Sequence, residues 1–231
     1  MRIGIMGAMD EEIALLKQEI EVERIEKKAG MEFFLGSWEG KEVVLVQSGI
    51  GKVNAAICAQ ILIDNFKTDK IIFTGVAGAL DPSLNIGDIV VSQDAGQHDF
   101  DVTELGYEIG EIPRLNCRFF QADGELVKLA SEVASELENI QVKTGRILSG
   151  DQFIASKDKA SQLREKLGGH CTEMEGAAVA QVCSLNGVPF IVIRAISDRA
   201  DGGAPDDFSS FLAQAAENSL LLIKGILRKI N

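Results

Sequence analysis

Short, almost wholly apolar runs alternate along this chain with longer stretches of helical spacing, and no other feature limits its fold as strongly. Residues 2–6, 42–47, 70–74, 88–92, 145–148 and 189–196 form the runs, and such near-continuous apolarity is what a strand shows when both of its faces are covered. Helical patterns occupy 10–20, 52–66, 124–138, 157–167, 174–186 and 207–229. In the last of these, Phe208, Phe211, Leu212 and Ala215 fall on one face. The segment from Glu21 to Trp38 alternates instead like antiparallel strands. Together these patterns predict an α/β fold with a central mixed β-sheet flanked by helices. Hydrophobic residues make up 46% of 231, enough for one sizeable core. No linker, repeat or low-complexity tract interrupts the chain, so a single domain over 1–231 is expected.

Acidic residues outnumber basic ones 35 to 23, a formal net charge of −12. That balance argues against a nucleic-acid backbone or an anionic membrane as partner, and favours a small molecule or a protein. Cys58, Cys117, Cys171 and Cys183 include no CxxC pair, and His98 and His170 stand apart. Neither a metal site nor a disulfide framework is therefore expected, and the chain reads as reduced and cytoplasmic. The apolar opening Met1-Arg2-Ile3-Gly4-Ile5-Met6 is broken by Asp10, Glu11 and Glu12 far short of a leader or a membrane span, so it reads as the first strand.

Glycines mark the strand ends: Gly7, then Gly49 and Gly51, then Gly75 and Gly78. Glycine lets backbone approach a ligand, and helix N-termini beyond such turns favour a polar oxygen. Ser48-Gly49-Ile50-Gly51-Lys52-Val53 is not a phosphate loop, because it lacks the first glycine of GxxxxGK[ST] and carries Val53 in place of the metal-binding hydroxyl. No GxGxxG follows the first strand, so a nicotinamide is not expected and no cofactor is assigned.

The main functional signal is a pair of segments: Glu173-Met174-Glu175, and the strand from Phe190 to Ile196 that runs out into Ser197-Asp198. Open α/β sheets bind ligands beyond the carboxyl ends of their strands. Several of the charged residues also have a structural reading. Asp10, Glu11 and Glu12 suit a first helical turn, where carboxylates gain about 0.3–1 kcal/mol each from the dipole. Thr172-Glu173-Met174-Glu175 fits a capping box with Glu175 reaching back to Thr172, which leaves Glu173 unexplained. Arg194 inside an apolar strand needs a carboxylate partner, as a structural ion pair or as part of a site.

Six segments occur in an order and spacing that resemble the bacterial 5′-methylthioadenosine/S-adenosylhomocysteine nucleosidases, of the purine nucleoside phosphorylase superfamily. They are Gly7-Ala8-Met9-Asp10-Glu11-Glu12, Ser48-Gly49-Ile50-Gly51-Lys52-Val53, Thr74-Gly75-Val76-Ala77-Gly78, Ser149-Gly150-Asp151-Gln152-Phe153, Glu173-Met174-Glu175-Gly176 and Arg194-Ala195-Ile196-Ser197-Asp198. The resemblance runs from end to end. It implies a nucleoside phosphorylase-like fold, a homodimer, and hydrolysis of a nucleoside by water in methionine salvage. It also implies Asp198 as general acid toward purine N7, held by Ser197, with a pKa above the ~3.9 of a free aspartic acid. Glu12 becomes the general base for water, with Arg194 beside that water. Glu175 becomes the ligand of the ribose hydroxyls, a role that competes with its cap reading, and Glu173 joins the substrate-binding set.

The same resemblance places Met174 against the ribose, Phe153 on the purine face and the backbone of Ile154 at the base edge. Met9, Ile50 and Phe208 line the pocket, with Val76, Ala77 and Gly78 beside them, and Arg199 to Asp207 has the composition of a lid. Tyr107 and Pro113 fall where a neighbouring subunit completes the site. Two positions depart from the common pattern: Val76 stands where many members have Ser or Thr, and Leu105 where an aromatic often lines the pocket. A phosphorylase would need cations for phosphate, whereas Asp10, Glu11 and Glu12 would repel it. A phosphate-dependent purine nucleoside phosphorylase, cleavage of 6-amino-6-deoxyfutalosine, and a non-catalytic nucleoside-binding module remain as alternatives.

Overall fold

The computed structural model of the chain describes residues 1–115, 117–137, 140–200 and 204–230, and for 204–210 the backbone only. Its elements are β1 (Arg2–Gly7), α1 (Asp10–Glu19), β2 (Glu21–Lys28), β3 (Met31–Trp38), β4 (Lys41–Gln47), α2 (Lys52–Asp64), β5 (Lys70–Ala79), β6 (Ile89–Gln97), β7 (Phe120–Gln121), α3 (Gly124–Ala134), β8 (Val142–Ser149), α4 (Lys157–Leu167), β9 (Cys171–Glu173), α5 (Gly176–Asn186), β10 (Phe190–Asp198) and α6 (Ala204–Lys229). The strands join one sheet in the order β10-β6-β8-β9-β5-β1-β4-β3-β2, with β7 on β6. Because β10 also pairs with β5, the path from β10 to β5 closes into a ring. β1 runs parallel to β4 and β5, and β5 to β10, while β2–β3, β3–β4 and β6–β10 are antiparallel. This is the mixed sheet that the alternating patterns predict.

Both faces are covered, which is why the central strands read as continuous apolar runs. Successive side chains point to opposite faces of a strand. Ile71, Phe73 and Val192 accordingly pack in one cluster with Cys58 and Leu62 of α2 and Val179 and Cys183 of α5. Ile72 and Ile191 pack in another with Leu16 of α1, Leu126 of α3 and Leu227 of α6.

The departures from expectation fall at the strand ends. The run predicted to stop at Thr74 continues to Ala79, because Gly75, Val76 and Ala77 stay in register with Arg194, Ala195 and Ile196. The helix predicted from Met174 begins at Gly176, behind a three-residue strand too short to show a period. The helix predicted to reach residue 138 ends at Ala134.

Candidate active site

The carboxyl ends of β1, β5 and β10 meet at a cavity of about 270 Å³, where the topology of an α/β sheet places ligands. Met9 and Glu12 enter from the β1–α1 turn, Val76, Ala77 and Gly78 from β5, and Ser197 and Asp198 from β10. Glu173, Met174 and Glu175 come from the turn between β9 and α5, Ile50 from the β4–α2 loop, and Phe153 and Ile154 from the β8–α4 loop. All are residues singled out in the sequence.

Glu12 turns back over the start of its own helix. Its carboxylate accepts from the N–H groups of Ala8 at 2.6 Å, Met9 at 3.0 Å and, across the site, Val76 at 2.9 Å. Asp10 and Glu11 are exposed, so the dipole reading describes them, whereas Glu12 is 6% exposed and faces the cavity. Burial pushes the Glu12 pKa up, against the Arg194 charge and those three N–H groups. Its approach to Arg194 depends on Gly75, where a Cβ would lie within 3.0 Å of both Glu12 Oε1 and Arg194 Nη1.

Arg194 is buried and pairs with Glu173, through Nε at 3.0 Å and through Nη2, with Glu175 at 3.8 Å. Burial opposes its charge, but Glu173, Glu12 and Glu175 hold its pKa above the usual value. Nη1 makes no hydrogen bond among the described residues. The capping reading of Glu175 is overturned. Glu173, not Glu175, caps α5, accepting from Gly176 N–H at 2.8 Å and from Glu175 N–H at 3.2 Å, because β9 delivers it directly under the helix start. Ser149 links the same carboxylate to α5, donating its hydroxyl to Glu173 while accepting from Ala177 N–H at 2.7 Å. Glu175 instead accepts from Gly51 N–H at 2.7 Å. Burial first, and the Glu173 charge second, push its pKa up to about 7.

Asp198 ends β10 after a register irregularity beyond Ile196, the kind of bulge that re-aims a side chain at a strand end. Ser197 Oγ donates to Asp198 Oδ2 at 2.9 Å, and Ala200 N–H donates to Oδ1 at 2.7 Å. Gly78 clears space for it, since a Cβ there would lie 2.7 Å from Oδ1.

Comparison with known proteins now bears on this constellation. The family model described as Phosphorylase superfamily matches residues 2–228. A 5′-methylthioadenosine/S-adenosylhomocysteine nucleosidase of Bacillus pumilus is 46% identical over 230 residues, 99% of each chain. The chain belongs to this nucleosidase family. The Neisseria meningitidis member, solved in complex with methylthio-immucillin-A, superposes with a TM-score of 0.96 at 38% identity, covering 99% of both chains. A futalosine hydrolase of Helicobacter pylori superposes at 0.95 and 37% identity, covering 99% of this chain and 98% of its own.

Family membership leaves some expectations to be adjusted. Leu105 does not line this cavity; it sits 72% exposed on the short 3-10 turn Thr103–Leu105. Arg194 is held behind Glu173 and is absent from the lining. The side chain of Phe208, and residues 201–203 of the expected lid, lie outside the described residues. Ala8, Gln152 and Thr172 also line the cavity, although the sequence placed the first two only within motifs and Thr172 only in a capping box. Thr172 Oγ1 is buried with no partner among the described residues, which no local sequence pattern signals.

Proposed function

We propose that the chain hydrolyses the N-glycosidic bond of 5′-methylthioadenosine and S-adenosylhomocysteine, and of 5′-deoxyadenosine, to adenine and the 5-substituted ribose. In the proposed reaction Asp198 gives a proton to purine N7 as the C1′–N9 bond breaks. Glu175 holds the ribose hydroxyls and lends negative charge to the developing oxocarbenium ion. Glu12 takes a proton from water as the new C1′–O bond forms, with Arg194 Nη1 as the donor beside it. Phe153 supplies the purine face, Ile154 the base edge, and Met9, Ile50, Met174 and Phe208 the apolar surround of the sugar and thioether.

The observation that carries water rather than phosphate as nucleophile is the charge of the lining. Glu12, Glu173, Glu175 and Asp198 line the cavity, and among its described lining residues there is no Lys or Arg. The start of α2, which a phosphate would seek, is already taken: Gly51 N–H donates to Glu175 and Lys52 N–H to Asp151 at 2.9 Å. At those N–H groups a phosphate dianion would meet the carboxylates of Glu175 and Asp151. The test is adenine release from 5′-methylthioadenosine with and without phosphate, with the sugar identified by mass. Free 5-methylthioribose without phosphate is expected, and methylthioribose-1-phosphate formed only with phosphate would overturn the reading. The similarity to a futalosine hydrolase makes 6-amino-6-deoxyfutalosine the second substrate for the same assay.

The proposal extends to a homodimer acting in the cytoplasm, in methionine salvage and S-adenosylmethionine recycling. Val53 and Ile57, one helical turn apart on α2, are 69% and 42% exposed beside Ile50, an apolar face that a second copy would cover. Tyr107 and Pro113 are the residues assigned to a neighbour's site. The free thiols Cys58, Cys117, Cys171 and Cys183 suit a reducing compartment.

A further inference from the structure

Two walls of the cavity stand on loops rather than on the sheet. Ile50, before α2, is 54% exposed, and Phe153, between β8 and α4, is 53% exposed. A closed ring of polar contacts ties these loops together. Lys52 N–H donates to Asp151 Oδ1 at 2.9 Å, Asp151 N–H donates to Asp99 Oδ2 at 2.9 Å, and Asp99 Oδ1 receives Lys52 Nζ at 2.6 Å. The ammonium also donates to Gln97 Oε1 at 2.9 Å, and Gln97 Nε2 donates to Gln181 Oε1 on α5 at 2.7 Å. With Lys52 18% and Asp99 13% exposed, the pair is screened far less than a surface ion pair.

The backbone is shaped for this contact. Gly51 has φ +96°, a region that L side chains rarely enter, and a Cβ there would lie 3.2 Å from Asp151 Oδ1. A Cβ on Gly150 would lie within 3.0 Å of the His98 ring and 3.0 Å from Asp99 Cγ. Both glycines therefore let the loops close on the clasp. The same Gly51 gives its N–H to Glu175, so the position of the clasp is passed to a carboxylate of the site.

We propose that Lys52, Asp99 and Asp151 clasp the loop bearing Ile50 to the loop bearing Phe153, and so act as positioning residues that set the spacing between the ribose and purine sides of the cavity. The inference rests on the nucleoside-hydrolase reading, since it assigns the two walls to the two halves of one ligand. A nucleoside spans both walls and feels their spacing, whereas adenine touches only one. The test compares Lys52→Met, Asp99→Asn and Lys52→Arg with wild type by calorimetric titration with adenine and with 5′-methylthiotubercidin, and by kcat and KM for 5′-methylthioadenosine. Lys52→Met and Asp99→Asn should weaken the nucleoside analogue and lower kcat/KM by about tenfold or more, because a misplacement of about 1 Å can cost about 10²-fold. Adenine affinity should stay within about twofold, a change well under 1.4 kcal/mol, and Lys52→Arg should recover most of the loss. Equal weakening of both ligands, or no change in either, would overturn the clasp. A wild type that binds the analogue but releases no adenine would sink the hydrolase reading alone, while the titrations would still decide the clasp.

Discussion

Glu173→Gln keeps the shape of the side chain and removes its charge, and the structure sets what that change costs. The carboxylate takes Arg194 through Nε and Nη2, the N–H groups of Glu175 and Gly176, and the Ser149 hydroxyl. An amide offers one acceptor oxygen for that donor set and turns its own NH2 toward donors. Removing one partner of a buried pair costs about 3–5 kcal/mol, because the other charge stays buried. Glu175 at 3.8 Å from Arg194 remains as a partial counter-charge, which places the loss at the lower end. At about 2–4 °C per kcal/mol for a chain of this size, Tm should fall by about 6–12 °C. A second signature separates this from general damage. The Glu175 pKa, now about 7, loses the repulsion of Glu173 and gains more of Arg194, so it must fall. Thermal unfolding by circular dichroism, with the pH profile of kcat/KM for 5′-methylthioadenosine, reads both effects. An unchanged Tm together with an unmoved acid limb would refute the assignment of Glu173 as the anchor of Arg194.

Glu12→Gln should retain nucleoside binding by calorimetry yet lose about 10²–10⁴-fold in kcat, the typical contribution of a general base; unchanged turnover would remove it from that role. Gly75→Ala should abolish most activity, because its Cβ would lie within 3.0 Å of Glu12 and Arg194, while Gly124→Ala, with nothing within 4 Å, should behave as wild type in the same rate and melting assays. Without ligand, stability should fall as pH rises. Glu175 takes up its proton more readily folded, at about 7 against an ordinary 4.5, so the stability it contributes is complete below 4.5 and lost as pH passes through 7. The loss is on the order of 3 kcal/mol, and denaturant melts of Glu175→Gln over that range should lack this part of the slope.

What could be read before the structure was known follows from how each element signals itself. β10 signals its own burial by six apolar residues, and Arg194 within it signals a carboxylate partner, which the structure supplies as Glu173. Gly75 and Gly78 misled at the end of β5, because glycine ordinarily ends a strand, whereas here it stays in the ladder to make room for Arg194, Glu12 and Asp198. β9 has three residues and therefore no period, so the cap weighed for Glu175 falls instead to Glu173. The contacts among Lys52, Asp99 and Asp151 join residues 47 to 99 apart in sequence, beyond the reach of any local pattern.

The charges at the site explain why such a costly cluster is kept. Glu173 is committed to Arg194, which leaves Glu12 and Glu175 as buried carboxylates with raised pKa values and no full counter-ion of their own. Such groups are destabilising in the empty protein, and they become favourable only when positive charge develops between them. In the proposed reaction that moment is the oxocarbenium-like transition state, flanked by Glu175 on the ribose and Glu12 at the water. Binding energy expressed in the transition state rather than the ground state is what raises kcat. Neutralising Glu175, which accepts from the single N–H of Gly51, should therefore stabilise the resting fold while slowing hydrolysis, and a variant of Glu175 that melts lower and turns over normally would show that its charge serves the fold instead.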